Sequence, residues 1–235
     1  MSEPLLIRYL QPLMAGRRAE CFELIQTALT QGKNPEAIAF DVIWPAMAQI
    51  ERLFRDDRID IAVNNMACRI NRTVTDQIQA HLMKLPVHGR RIIVACAEDE
   101  REAIGGQMLA DLFQSAGWEV YFLSTSIPDD EMLKLVGHLR PEVLVIYGTQ
   151  PSEVPNVRRF VELIREIGVC PSMNIVASGG VFNRVEGLWQ EVGADAFVDQ
   201  PRDIVNVVNE LSPRIPGQRK IGIVKKRRRR RKVAV

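Results

Sequence analysis

From Pro4 to about Met83 the apolar residues recur at three- and four-residue steps, broken clearly only at Gly16 and around Gly32-Lys33-Asn34. That is the period of helices that each bury one stripe, and four of them follow as a bundle. Asn34 suits a helix N-cap with Pro35 at the first helical position, and Glu36 adds negative charge where the helix dipole favours it. Pro45 falls inside the run Asp41-Val42-Ile43-Trp44-Pro45-Ala46-Met47, so it must kink that helix or divide it. A fourth helix is expected from near Asp60, with Ile61, Met66, Ile70 and Val74 on its inner face.

After Lys84-Leu85-Pro86-Val87-His88-Gly89 the period changes to short β-branched runs alternating with amphipathic segments. Strands are expected at Ile92–Ala95, Val120–Leu123, Val143–Ile146, Ile175–Ala177 and Ala196–Val198. Helices are expected at Glu102–Ala116, Pro128–Leu139, Val154–Ile167, Val185–Val192 and Ile204–Leu211. Regular βα alternation specifies a doubly wound α/β fold, a five-stranded parallel sheet with helices on both faces. The expected organisation is a helical bundle over residues 1–83, a linker at 84–90, the α/β domain at 91–211 and a tail at 212–235.

Ligands of such sheets bind outside the carboxyl ends of the strands, so the loops there carry the functional question. The first, Ala97-Glu98-Asp99-Glu100-Arg101-Glu102-Ala103-Ile104-Gly105-Gly106, has neither a G-x-G-x-x-G nor a G-x-x-x-x-G-K-[ST] pattern, and its four carboxylates repel a phosphate. A phosphoacceptor receiver domain also begins with acids here, but the third strand ends at Tyr147-Gly148-Thr149 without Asp and the fifth at Asp199-Gln200 without Lys. The fourth loop, Ala177-Ser178-Gly179-Gly180-Val181, gives close backbone access or simply a tight turn.

Composition changes this picture in two places. No apolar run approaches the ~20 residues of a membrane span, and the N-terminus carries an acid where a secretory signal would be basic, so a cytoplasmic location is expected. Cys21, Cys68, Cys96 and Cys170 lie far apart without C-x-x-C spacing and read as reduced core residues rather than metal ligands. The formal charge of +2 conceals a division. Eleven Lys or Arg and no acid lie from Pro213 onward, which leaves residues 1–212 with a net charge of −9.

Taken together, residues from about 1 to 211 resemble the cobalamin-binding unit shared by methionine synthase, corrinoid methyltransfer proteins and cobalamin-dependent light-sensing regulators. The segment Val42-Ile43-Trp44-Pro45-Ala46-Met47 through Ile50-Glu51-Arg52-Leu53-Phe54 and Asp60-Ile61-Ala62 is similar to that family's helical cap. Ile104-Gly105, Gly179-Gly180 and Gly193-Ala194-Asp195 fall in the family's order and approximate spacing. The resemblance implies a helical cap over a flavodoxin-like sheet, with cobalamin as cofactor.

The same resemblance exposes departures. In the family's D-x-H-x-x-G motif the His binds cobalt and the Asp orients it. Aligned on Gly105, those positions are Glu100 and Glu102. The family's Ser-x-Leu segment is replaced by Tyr147, Gly148 and Thr149. Where the light-sensing regulators carry Trp and Glu-His in the cap, Phe54, Asn64 and Asn65 stand. The cofactor-binding residues it implies are thus Phe54, Asn64, Asn65, Glu100, Glu102, Gly105, Tyr147, Thr149, Gly179 and Gly180, with no catalytic residue and no protein metal ligand.

The run Lys225-Lys226-Arg227-Arg228-Arg229-Arg230-Arg231-Lys232 follows a Pro- and Gly-containing stretch that reads as a flexible linker. Its partner is expected to be nucleic acid or another polyanion bound through backbone phosphates, or else the chain's own acidic body. The leading expectation is a non-enzymatic regulatory or sensor protein that binds corrinoid without a His ligand. The alternatives are a corrinoid-free protein or nucleic-acid interaction module and a corrinoid carrier for methyl transfer. A protein partner and self-association are left open, and no membrane is involved.

Overall fold

A computed structural model describes residues 3–97, 100–124 and 127–216, and within these the side chains of 100–102 are not described. The bundle comprises α1 (Leu5–Met14), α2 (Arg18–Thr30), α3 (Pro35–Ile38), α4 (Trp44–Arg55) and α5 (Ile61–Gln79). Asn34 caps α3 through a hydrogen bond accepted from the Glu36 N–H at 2.9 Å, and Asp60 caps α5 from the Val63 N–H at 2.8 Å. The run around Pro45 is divided into α3 and α4 by a π-helical turn over Ala39–Ile43, which accommodates the ring that cannot donate to the preceding carbonyl.

The inner face of α5 differs from the expected one. Ile61 and Met66 are exposed, and the helix buries Asn64, Ala67, Ile70, Asn71, Val74, Thr75 and Ile78 instead. Two amides therefore occupy the inner stripe that a purely apolar reading gave to larger hydrophobes. Asn71 is satisfied there by the buried Tyr9 hydroxyl, which donates to its Oδ1 at 2.8 Å.

The second half runs β1 (Arg91–Cys96), α6 (Glu100–Ser115), β2 (Glu119–Leu123), α7 (Asp129–Leu139), β3 (Val143–Tyr147), α8 (Val154–Ile167), β4 (Asn174–Ser178), α9 (Gly180–Arg184), α10 (Leu188–Glu191), β5 (Ala196–Val198) and α11 (Ile204–Glu210). The strands form one parallel sheet in the order β2-β1-β3-β4-β5, with strand order reversing between β1 and β3. The helix expected at Val185–Val192 is shortened to α10, which begins after Gly187 at a φ of +81°, and α9 precedes it over residues where no helix was expected.

Alternate strand residues go to opposite faces. Ile93, Leu144 and Ile175 pack against α7, α8 and α10, whereas Ile92, Val94, Val143 and Val145 join a core that continues through α6 and α11 into the cap. Cap and α/β domain thus share one hydrophobic core along the α5–α6 seam. Asp111 of α6 is buried in that seam, and desolvation pushes its carboxyl up to about 6.

The segment expected to be a linker at 84–90 is a fixed strap. The Leu85 N–H donates to the Ser115 carbonyl at 2.8 Å and the His88 N–H to Gly117 at 3.0 Å, while Arg90 stacks 4.1 Å above the buried Trp118 ring. The chain beyond α11 is tied down as well, because Arg214 pairs with Asp195 at 3.3 Å and its N–H donates to Ser172 at 2.9 Å. The flexible stretch expected from Pro213 therefore does not begin there. Among the described residues no helix is long and apolar enough to cross a membrane.

Candidate functional site

At the carboxyl ends of β3, β4 and β5, under α4 and α5 of the cap, lies a cleft of about 420 Å³. This is the position that doubly wound topology assigns to ligands, and the volume lies within the ~300–1,000 Å³ range of small-molecule sites. The cap supplies an apolar wall from Trp44, Met47, Ile50 and Phe54, at three- and four-residue steps along α4. Beside it stand Asn64, Cys68 and Asn71 of α5, at steps of four and three. The sheet side contributes Tyr147, Thr149, Gln150, Gly179, Gly180, Asn183, Arg184 and Asp199.

Two features fix the sheet side. Gly179 adopts a φ of +106°, and a methyl group on it would overlap the Gly148 carbonyl, so only glycine lets the β3 and β4 loops touch. The two loops are stitched by the Gly148 N–H donating to Ser178 at 3.0 Å and the Val181 N–H donating to Gly148 at 3.2 Å. Trp44 from the cap then meets Tyr147 edge-on with centroids 6.1 Å apart.

Charge bridges the cleft. Arg184 pairs with Glu51 of α4 at 3.1 Å and donates to the Thr149 carbonyl, and Glu51 also accepts Arg55 at 3.6 Å. Farther along, Arg202 pairs with Asp41 at 2.7 Å and lies 6.0 Å from the Phe40 ring. These contacts join the cap to the strand ends around an opening with an apolar wall from α4 and amides from both the cap and the sheet side.

Of the residues expected from the sequence, Phe54, Asn64, Tyr147, Thr149, Gly179 and Gly180 line this cleft. Asn65 does not. It is exposed on α5 while its neighbour Asn64 is 4% exposed, because adjacent helical residues point about 100° apart. Gly105 also stands off the cleft, buried behind Tyr147. The backbones of Glu100 and Glu102 form the first turn of α6, and their side chains lie outside the described residues, as do Glu98, Asp99 and the whole run from Lys225 to Lys232.

Sequence reading missed Trp44, Met47, Glu51, Cys68, Asn71, Asn183, Arg184 and Asp199 as cleft residues. The first five carried a usable signal, since they follow Phe54 and Asn64 at helical spacing. Arg184 and Asp199 carried none, because only the fold brings the segments after β4 and β5 beneath α4.

A family model described as a B12 binding domain matches residues 90–208, and a second with the same description matches residues 5–79. The chain belongs to the B12-binding domain family. Its cofactor is a corrinoid of the cobalamin type. A dimethylamine corrinoid protein 3 of Methanosarcina acetivorans is 21% identical over 215 residues, which are 89% of this chain and 97% of that protein. One of the same description from Methanosarcina mazei is 21% identical over 121 residues, 51% of this chain and 71% of that protein. In dimethylamine corrinoid protein 1 of Methanosarcina acetivorans the shared segment is 55% of the protein's length. The solved monomethylamine corrinoid protein of Methanosarcina barkeri superposes with a TM-score of 0.79 over 88% of this chain and 98% of that one, at 16% identity, and so shares its fold.

The lining suits the macrocycle of a corrinoid in part. Flat apolar surface from Trp44 and Phe54 and amide groups from Asn64, Asn71 and Asn183 suit a ring edged with carboxamides. No histidine lines the cleft, and no group of three or more His, Cys, Asp or Glu stands together among the described residues.

Proposed function

We propose that this protein is a corrinoid carrier that holds the cofactor between cap and strand ends and presents it to a methyl-transferring partner. What carries this reading is the cleft itself, at the carboxyl ends of the parallel strands and roofed by a cap that shares one core with the sheet. It is supported by similarity to corrinoid proteins along nearly the full chain in one relative. Bound, the corrinoid supplies a metal centre able to accept and give up a methyl group. The chain's own residues do the rest. Trp44, Met47 and Phe54 keep water from the upper face, Asn64 and Asn71 offer amides to the ring edge, and the Glu51–Arg184 pair holds cap to sheet.

The missing imidazole favours a second reading, that of a regulatory sensor in which the corrinoid sets the position of the cap. One experiment separates the two. The full-length protein, loaded with hydroxocobalamin, is freed of excess, reduced, and exposed to ¹⁴C-labelled methyl iodide. A carrier retains near-stoichiometric label through gel filtration. A sensor changes elution volume on loading. A protein that stays colourless after loading would sink both readings.

A further inference from the structure

Behind the cleft, the seam between α6 and the sheet is closed by the protein's own side chains. Tyr147, 5% exposed at the end of β3, lays its ring across α6 at Gly105, where a methyl group would overlap the hydroxyl and two ring carbons. One residue on, a methyl group at Gly106 would overlap Cys96 Sγ and crowd the Phe122 ring at 3.3 Å. Trp44 contacts the same Tyr147 edge-on at 6.1 Å, so the tyrosine is held from the cap as well as from the helix. On the β4 side the Gly148 carbonyl fills the space that a side chain on Gly179 would need. Gly105, Gly106 and Cys96 do not line the cleft, which meets α6 at Ile104 beside Tyr147.

A cobalamin has two parts, a flat macrocycle and a flexible arm ending in a nucleotide. This chain offers a compartment for the first and a packed seam where the second could follow. A seam filled to interior density admits an aromatic base only if the filling side chain leaves, and moving a buried tyrosine out costs its apolar burial. We propose that the cleft recognises the macrocycle and excludes the nucleotide arm, so that its ligands are corrinoids irrespective of their nucleotide, incomplete ones included. This rests on the corrinoid reading above and adds the specificity. Tyr147 is the residue that sets it.

The test is calorimetric titration of the full-length protein with dicyanocobinamide, which lacks the nucleotide, and with cyanocobalamin. The two dissociation constants should agree within about threefold. Cyanocobalamin binding more than about tenfold tighter would overturn the exclusion while leaving the corrinoid reading intact. Binding of neither would overturn both. Tyr147→Ser opens the seam beside Gly105 and should shift the affinity ratio toward cyanocobalamin by about fivefold or more. An unchanged ratio in a folded Tyr147→Ser protein would contradict the role of Tyr147. Should that variant fail to fold, the wild-type ratio alone decides.

Discussion

The two ends of the sheet use the same raw material differently. At the amino ends of the strands the Arg165–Asp195 pair is part-buried, each side chain 16% exposed, and Asp195 also accepts the Ile175 N–H at 2.8 Å. Arg165 reaches the Met173 carbonyl at 2.9 Å, and Asn174 donates to Ser212 at 3.0 Å. At the carboxyl ends the corresponding charges are wetter, with Arg184 and Glu51 35% and 39% exposed, and they span a cavity instead of filling one. A parallel sheet leaves unpaired backbone groups at both poles. Here one pole is tied by a closed ionic network and the other carries a half-exposed ion pair across the cleft. The lesson is that stability and binding can be assigned to opposite ends of the same strands.

That division can be broken most strongly at the closed pole. Asp195→Ala strands a part-buried guanidinium and a backbone N–H, and should cost about 3 kcal/mol in urea or guanidinium unfolding with corrinoid affinity unchanged. An equal loss of affinity would mean that the poles are coupled.

A smaller effect is expected in the seam between them. Asp111 has Gln79 as a hydrogen-bond partner, with Asp76 and Lys84 as the charges nearby, and burial raises its carboxyl to about 6 from an ordinary value of 3.8. The folded state thus holds this proton more tightly than the unfolded chain. Its contribution to stability is complete below about pH 4 and is lost as pH rises through about 6. Asp111→Asn should therefore gain about 2 kcal/mol at pH 7.5, a gain that shrinks toward zero by pH 4 in denaturant titrations. A gain that persists at pH 4 would point to packing rather than ionisation.

The open pole should respond least in stability. Glu51→Gln removes a half-exposed ion pair and should change unfolding free energy by less than about 1 kcal/mol. Its signature is kinetic, a faster and less salt-dependent corrinoid on-rate in stopped-flow absorbance, because the cap is released from Arg184. A stability loss equal to that of Asp195→Ala would erase the contrast between the poles.

The α/β half was legible because strand periodicity is local. Every strand lies within one or two residues of its expected bounds, and the helices failed only after β4, where α9 was missed and the next helix starts late, after Gly187. The cap was legible as a helical bundle and in the Asn34 cap, but it holds five helices where four were expected, and the facing of α5 was not legible. Asn64 and Asn71 look like surface residues in a one-dimensional pattern, and their burial depends on the cleft and on Tyr9. At the site, Phe54 and Tyr147 are reached through the family resemblance, and Gly179 also through its place after the fourth strand. Arg184 and Asp199 come together with α4 only through the crossing of two layers, 133 residues apart in the case of Arg184 and Glu51. Such a contact has no periodic signature.

The central claim is that the cleft under the cap is where the corrinoid sits. Ala48 lines its mouth and is exposed, so Ala48→Trp fills the opening without burying new surface in the core. Side-by-side hydroxocobalamin titrations, read by bound visible absorbance after gel filtration, should give one corrinoid per wild-type chain and at least about a tenfold loss of affinity in Ala48→Trp, at unchanged melting temperature. Equal binding by the two proteins would contradict the placement of the site.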